Sequence, residues 1–344
     1  MPSIERVLKD LVESSAGDDP FSGVVRVSVL GETRFERAWG CRVRSEGLPC
    51  TLDTRFGTAS GSKTFTAVAV CRLVDAGLLS LDDAVVDCLE RDLPGIDPGV
   101  TIRHLLTHTS GIADYFDEED EDDFEALWRE RPTYTIRSPG DVFDMFSGRG
   151  MKFTPGERFC YSNGGFVLLG LVVEERTGSD FGRHVEESVF KTAGMVDSGY
   201  FAMDSLPERT ALGYVGAGDS ARTNIFSVPA VGQPDGGAFT TARDMDRFWD
   251  SLLGGGLLSV GLARELLGPQ VQVGRRGAGY GLGLWTEDLG GGKTLRYASG
   301  SDPGVGFNSG FIGNDAVRVT LIRNSDGPCW GVFMKLVREL ERMA

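Results

Sequence analysis

A serine and a lysine three residues apart are the first pair of side chains in this sequence that could carry out a reaction. Ser60 and Lys63 lie in segment 56–66, where the pattern changes from extended to helical. Residues three apart share a helix face, so the spacing predicts that Lys63 lies beside Ser60 at a helix start. A lysine whose pKa is lowered by burial can accept a serine proton and create a nucleophile. The same spacing also fits an N-cap serine with a solvated lysine.

A tyrosine and an asparagine form a second candidate pair. Tyr161 and Asn163 lie in a loop just before an apolar helix that is predicted to begin near Gly164. A phenol can exchange a proton when a nearby ammonium stabilises its anion, and an asparagine amide can bind a substrate carbonyl and orient a lysine. Taken alone, the pair also fits a packed aromatic ring and a helix cap.

The order of these segments along the chain resembles the serine β-lactamase-like hydrolases, most closely the branch of class C β-lactamases, D,D-peptidases and esterases. The resemblance implies that Ser60 is the nucleophile, Lys63 its lysine partner, and Tyr161 and Asn163 the Y-x-N element. It runs from about Val24 to the C-terminus. Three further segments support it: 101–111, 236–245 and 280–285.

The third element of the family departs from its pattern in this sequence. A Lys or His, any residue and Gly are expected there, and the chain has Ala298, Ser299 and Gly300. The cation that would recognise a substrate carboxylate is therefore absent. An oxyanion hole made by the backbone N–H groups of Ser60 and Ser301 needs no particular side chain. We accordingly expect residues 299–301 to contact substrate, and the loss of the cation favours an ester or an uncharged amide.

Charge and composition exclude several classes of partner. The chain has 35 Lys and Arg against 50 Asp and Glu, a net charge of −15, and no basic run. Nucleic acids and anionic membranes are bound largely by basic side chains, so neither is an expected partner. The apolar stretches are also too short to span a bilayer. Acidic run 117–123 is either a solvated loop or a feature at the mouth of the site that attracts cationic substrates.

No metal or organic cofactor is expected. The six cysteines are scattered and are predicted to be reduced, although a Cys41–Cys50 bridge across a turn is an alternative. His104 and His108 have a spacing that can bind zinc, but the glutamate of the metalloprotease pattern is missing, and the resemblance places them in a structural helix and turn. The N-terminus lacks a signal peptide, which predicts a cytoplasmic protein.

The elements that must position these residues predict an α+β fold. Strand patterns occur at both chain ends and helix patterns between them, which favours an antiparallel sheet built from both ends and flanked by helices. We predict a sheet domain from residues 1–76 and 270–344, an inserted helical domain from 77–269, and the active site between them. The predicted strands are 23–30, 33–39, 279–285, 294–298, 306–312 and 317–322. The predicted helices are 4–15, 63–76, 102–108, 164–177, 181–191, 242–253, 260–267 and 331–343.

Together these features predict a serine hydrolase that forms an acyl-enzyme with a small-molecule ester, amide or lactam. Esters and uncharged amides are favoured. A β-lactamase or a D,D-peptidase or D-aminopeptidase is the first alternative. A catalytically silent relative that serves as a binding or assembly module is the second. The sequence does not predict the oligomeric state.

Overall fold

The computed structural model describes residues 4–15, 20–121, 123–274, 277–313 and 316–343. Its largest element is an eight-stranded antiparallel sheet in the order β2-β1-β8-β7-β6-β5-β4-β3. The strands are β1 (Gly23–Val29), β2 (Glu32–Trp39), β3 (Val271–Gln272), β4 (Ala278–Tyr280), β5 (Trp285–Gly290), β6 (Lys293–Asp302), β7 (Val305–Ile312) and β8 (Val317–Arg323).

Helices lie between these two groups of strands and on either side of them along the chain. They are α1 (Ile4–Ser14), α2 (Lys63–Asp75), α3 (Ile102–Leu106), α4 (Leu127–Glu130), α5 (Pro139–Phe146), α6 (Asn163–Thr177), α7 (Phe181–Val185), α8 (Lys191–Ala193), α9 (Ala242–Leu253), α10 (Val260–Leu267) and α11 (Cys329–Met343). Within the described residues, no helix has the length and apolar character needed to cross a membrane.

The two ends of the chain meet within the sheet, as its second and third strands counted from the β2 edge. Strand β1 pairs antiparallel with β8, from Gly23 opposite Arg323 to Val29 opposite Val317. The β1–β2 hairpin turns at Leu30 and Gly31, whose φ angles of 51° and 77° give the left-handed turn that matches strand twist. The predicted α+β fold with a sheet from both chain ends is therefore confirmed. The division into two domains stays a prediction.

Each face of the sheet is covered by helices. Neighbouring residues of β1 alternate between faces: Val25 packs with α1 and α11, whereas Val24 packs with the core that contains α2, α6 and α9. Residues 63–71 of α2 and 163–173 of α6 are all buried. A helix that is apolar on every side is typical of a protein interior. The candidate site thus rests on the two most buried helices.

Two local predictions were wrong. The segment expected to be one strand, 279–285, forms the end of β4, a turn and the start of β5. Gly283 in this turn has a φ of 80°, and a side chain there would collide with Ala67 of α2. The helix predicted over 63–76, by contrast, is present as α2 from Lys63, and Ser60 lies just before it in a 3-10 turn of Ala59–Ser62. The predicted helix 181–191 is interrupted by a π-helical turn over Glu186–Phe190.

Candidate active site

Ser60 lies in the 3-10 turn of residues 59–62, which is fixed from both sides. The Thr58 N–H donates to the Ala238 carbonyl at 2.8 Å, and the Ala238 N–H donates to Ser62 Oγ at 2.9 Å. Ser62 is fully buried, and its hydroxyl also bonds within the turn. Ser60 is partly exposed and lines a cavity of about 630 Å³. Of these two serines, only Ser60 can therefore meet a substrate.

Lys63 is only 2% exposed, and its ammonium nitrogen has three neighbours. Nζ lies 3.1 Å from Ser60 Oγ, 2.7 Å from Asn163 Oδ1 and 2.6 Å from the Asp235 backbone carbonyl. The last two are carbonyl oxygens, which can only accept. A neutral amine has two N–H donors and one lone pair, so both donors are used and the lone pair is left for the Ser60 hydroxyl.

Burial is the main influence on the charge of Lys63, and it lowers the pKa of the amine. The carboxylates of Asp235, Glu118, Asp114 and Asp302 act in the opposite direction. The nitrogen also lies 4.8 Å from the centre of the Tyr161 ring. The arrangement thus shifts Lys63 towards the neutral form that can accept a proton.

Tyr161 is hydrogen bonded to Ser60, but it is not a phenolate. Burial raises its pKa well above the ordinary value, and the charge of Glu118 adds to this, whereas the Ser60 hydrogen bond opposes it. This differs from the expectation that an ammonium would stabilise the tyrosine anion. A neutral phenol can donate a hydrogen bond and relay a proton, and the neutral amine of Lys63 is the better acceptor.

His108 holds the loop that carries Tyr161, a role that sequence reasoning missed. Its ring stacks at 4.3 Å on the Tyr161 ring, its Nδ1 accepts the Ser162 N–H at 3.0 Å, and its carbonyl accepts the Cys160 N–H at 2.8 Å. Nε2 therefore carries the hydrogen and faces the Tyr280 hydroxyl at 3.2 Å. Burial keeps its pKa well below the ordinary range, so His108 is neutral.

Asp114 fixes the other half of the same loop. Its carboxylate accepts the backbone N–H groups of Asn163 at 2.5 Å and Gly164 at 3.0 Å, at the start of α6. A carboxylate there satisfies donors that have no partner within the helix. Burial nevertheless raises the pKa of Asp114 to about 6. Asn163 is held further by Glu118, which accepts its Nδ2 at 3.3 Å.

Strand β6 passes very close to the Ser60 turn. A side chain on Gly300 would place its Cβ 2.8 Å from the Ser60 nitrogen and 2.6 Å from the Gly61 nitrogen, so only glycine fits. Ser301 follows and lines the cavity with Ser60. Ser299 is partly exposed. The structure thus brings Gly300 and Ser301 to the nucleophile candidate. Ser299 is not among the described residues that line the cavity, and contact of 299–301 with substrate stays a prediction.

Ala298 is 2% exposed. Arg296, two residues away on the same face of β6, donates to the backbone carbonyls of Leu267 and Gly313. Among the described residues that line the cavity, the one basic side chain is Arg323, which is 1% exposed and donates to Ser325. The cavity is otherwise strongly acidic.

One group of side chains has the residue types and the close spacing that could bind a metal ion. In the described ranges, the single cluster with metal-ligand character is Asp117, Glu119 and Cys160. The Lys152 ammonium contacts all three, at 3.1 Å from Glu119 and 3.2 Å from Cys160, so this cluster is an ion-pair network. His104 is not part of it, because its Nδ1 accepts the Thr101 N–H at the start of α3. The described cysteines are all free, so Cys41 and Cys50 are not bridged.

Several known proteins are similar to this chain. The crystal structure of a penicillin-binding protein from Bacillus halodurans is 42% identical, with a TM-score of 0.89 over 97% of this chain and 99% of that chain. Penicillin-binding protein 4* of Bacillus subtilis (strain 168) is 34% identical over 214 residues, which is 60% of this chain and 45% of the relative. Esterase EstB of Burkholderia gladioli is 35% identical over 203 residues, which is 56% of this chain and 49% of the relative.

The chain matches about half the length of these last two relatives. A family profile described as Beta-lactamase matches it much more completely, over residues 8–331. The resemblance seen in the sequence motifs is thereby confirmed. Since the profile covers nearly all of its 344 residues, the chain belongs to the Beta-lactamase family.

Proposed function

We propose that the protein is a serine hydrolase that forms an acyl-enzyme on Ser60. The observation that carries the proposal is the set of contacts around Lys63 Nζ: two carbonyl oxygens at 2.7 and 2.6 Å occupy its donors, and Ser60 Oγ lies 3.1 Å away. A buried amine held in this way accepts the proton of the serine when the hydroxyl attacks.

In the acylation step, Ser60 Oγ bonds to the substrate carbonyl carbon while its proton moves to Lys63. The oxygen of the tetrahedral intermediate accepts hydrogen bonds from the backbone N–H groups of Ser60 and Ser301, which stabilises the developing charge. Tyr161, a neutral phenol bonded to Ser60, relays the proton from Lys63 to the leaving group. The bond to the leaving group then breaks, and an alcohol or amine departs.

Deacylation reverses the same proton path. A water molecule attacks the acyl carbon, its proton is taken up through Tyr161 and Lys63, and Ser60 is released as the hydroxyl. Asn163 orients Lys63 through both steps. Its Oδ1 accepts a hydrogen bond from Lys63 Nζ, and its Nδ2 donates one to Glu118.

The preferred substrate class is an ester or an amide that carries no carboxylate. Ala298 leaves a substrate carboxylate without the cation that the family pattern expects. Of the charged side chains that line the cavity in the described ranges, all but Arg323 are acidic. The negative charges of these side chains disfavour binding of an anionic substrate. Esterase EstB, one of the relatives, carries the name of an ester hydrolase.

Pre-steady-state kinetics with a short-chain p-nitrophenyl ester tests the proposal. We expect a burst of p-nitrophenolate equal to the concentration of active protein, followed by a slower steady rate. Ser60→Ala should lose both phases, while Ser162→Ala is expected to keep them because that hydroxyl caps α6. A burst that survives in Ser60→Ala would overturn the assignment.

A further inference from the structure

Acidic side chains are concentrated on the walls of the cavity that contains Ser60. Those that line it among the described residues are Glu118, Glu121, Asp123, Glu125, Asp235, Asp302 and Asp326. Arg323 is the one basic lining side chain in that part of the chain. A cavity of this composition concentrates cations and repels anions.

Most of these carboxylates already have a partner within the protein. Asp235 accepts the Tyr115 hydroxyl at 2.5 Å, and Glu125 forms an ion pair with Arg222 at 2.6 Å. Asp326 accepts the backbone N–H groups of Gly216 and Gly304, both at 2.8 Å. These three side chains therefore stabilise the surrounding structure through contacts within the protein.

Asp302 differs from them. Within the described residues, no hydrogen bond or ion pair reaches its carboxylate, although it lies immediately after Ser301 on β6 and lines the cavity. It shares a face of β6 with Ala298 and Gly300, the face that packs against the Ser60 turn. Burial raises the pKa of Asp302 most, the charge of Lys63 opposes this, and the charges of Asp235 and Glu118 add to it.

Asn224 is a second side chain on this cavity whose acceptor oxygen has no hydrogen-bond donor in the described part of the protein. This side chain is 2% exposed and lines the same cavity, and its Nδ2 donates to the carbonyl of Pro303, the residue after Asp302, at 3.0 Å. Its Oδ1 is buried and has no hydrogen-bond partner in the described part of the protein. A buried acceptor without a donor costs free energy, which a ligand that brings a donor would remove.

We propose that Asp302 and Asn224 form a subsite for a protonated primary amine, so that the substrate of Ser60 is an ester or amide that carries an ammonium group. The cleavage of an ester or amide bond in this inference rests on the proposed function. The binding of the ammonium group does not depend on it. An ammonium group has three donors, which suit the Asp302 carboxylate and Asn224 Oδ1. When Lys63 is neutral, the substrate cation also supplies the positive charge that Asp302 lacks.

A matched pair of ligands tests the subsite without catalysis. Alaninamide and isobutyramide differ by an ammonium in place of a methyl group, and both can be titrated by NMR against the Ser60→Ala protein. We expect alaninamide, as one or both enantiomers, to bind about ten- to a hundredfold more tightly, the range typical of a charge-assisted hydrogen bond. Asp302→Asn in the same background should bring the two dissociation constants within about threefold.

Glu121→Gln is the matched control, because Glu121 is exposed, lines the same cavity and also loses one negative charge. It should leave the preference for alaninamide unchanged. Equal binding of the two amides to Ser60→Ala protein, or a preference that survives in Asp302→Asn, would overturn the subsite. The ester burst on the parent protein decides the hydrolase assignment separately, so the two failures are distinguishable.

Discussion

Lys63 is the residue on which the proposed chemistry depends most. Its two carbonyl contacts and its burial leave the amine lone pair directed at Ser60. A charge-preserving change separates the role of the base from that of the positive charge. Arginine retains the charge but cannot lose a proton at any ordinary pH.

We therefore predict that Lys63→Arg lowers the rate of Ser60 acylation by about 10²- to 10⁴-fold, the usual contribution of a general base. The measurement is the second-order rate of labelling by a fluorophosphonate. Lys191→Arg, a change at an exposed helix position, is the control and should label like the parent. A Lys63→Arg rate within threefold of the parent would mean that a fixed charge, rather than a base, activates Ser60.

Ala298 sets the expected selectivity against carboxylate substrates. A β-lactam that lacks its charge-assisted hydrogen bond loses about 1.5–3 kcal/mol, or roughly ten- to a hundredfold in kcat/KM. We predict that nitrocefin is hydrolysed at least about tenfold less efficiently than the best neutral ester. Ala298→His should narrow that gap. A parent protein that hydrolyses nitrocefin as efficiently as any neutral ester would contradict this interpretation.

The sequence predicted Ser60, Lys63, Tyr161 and Asn163 as candidates because each pair is close along the chain and has a recognisable spacing. The other members of the site depend on contacts that spacing does not reveal. The carbonyl of Asp235 reaches Lys63 across 172 residues, and His108 meets Ser162 across 54. Asp302 was available as a neighbour of Ser301, but its lack of a partner is visible only after folding.

At the scale of elements, the site is the place where β6 touches the 3-10 turn. The turn holds Ser60, and β6 brings Ser301 beside it, with Gly300 as the point of closest approach. The sequence predicted both elements but not their geometry. It read 279–285 as one strand, because a glycine-rich turn packed against α2 has the local pattern of a continuous strand. It placed Ser60 at the helix start but did not predict that this start is a 3-10 turn.

Gly300→Ala should break this contact. Its new Cβ would lie 2.6 Å from the Gly61 nitrogen, so β6 must move away from the turn, at a cost of about 1–3 kcal/mol in the free energy of unfolding. We predict a lower unfolding free energy in urea together with a loss of Ser60 labelling.

Gly261→Ala is the control for that experiment. The position lies in α10 with open space around it, so alanine should raise stability by about 0.5–1 kcal/mol and leave labelling unchanged. Labelling at the parental rate in Gly300→Ala would show that the close approach of β6 does not organise the site.

At the scale of the whole molecule, the sheet pairs strands from the two chain ends. The segment between these strands carries Ser60 and most of the helices. The sequence predicted this architecture because strand and helix patterns segregate along the chain. The depth of the acidic cavity could not be predicted, since its lining residues come from segments as distant as Gly57 and Asp326. Acidic run 117–123 contributes Glu118, Glu121 and Asp123 to that cavity, while Asp122 lies outside the described residues.

Asp302, which is half-buried, makes stability depend on pH in a defined direction. Burial raises the pKa of Asp302 to about 7, from an ordinary value near 4 in the unfolded chain. The fold therefore favours the protonated form, and this contribution to stability is full below pH 4 and lost as pH rises to about 7.

We predict that the melting temperature of Asp302→Asn, compared with that of the parent, rises progressively between pH 4 and pH 7 and then stays constant. Differential scanning calorimetry across this range checks it. Glu121→Gln again serves as the control and should show no such trend. A difference between Asp302→Asn and the parent that is independent of pH would mean that Asp302 is ionised in the folded protein throughout this range.

The central claim is that Ser60 is the nucleophile of a working hydrolase rather than a remnant in a silent relative. Intact-mass spectrometry after fluorophosphonate treatment, followed by peptide mapping, tests it most directly. We predict a single adduct on Ser60, absent from Ser60→Ala protein whose circular dichroism is unchanged. An adduct on Ser62 or Ser162, or a parent protein that takes up no label, would contradict the account.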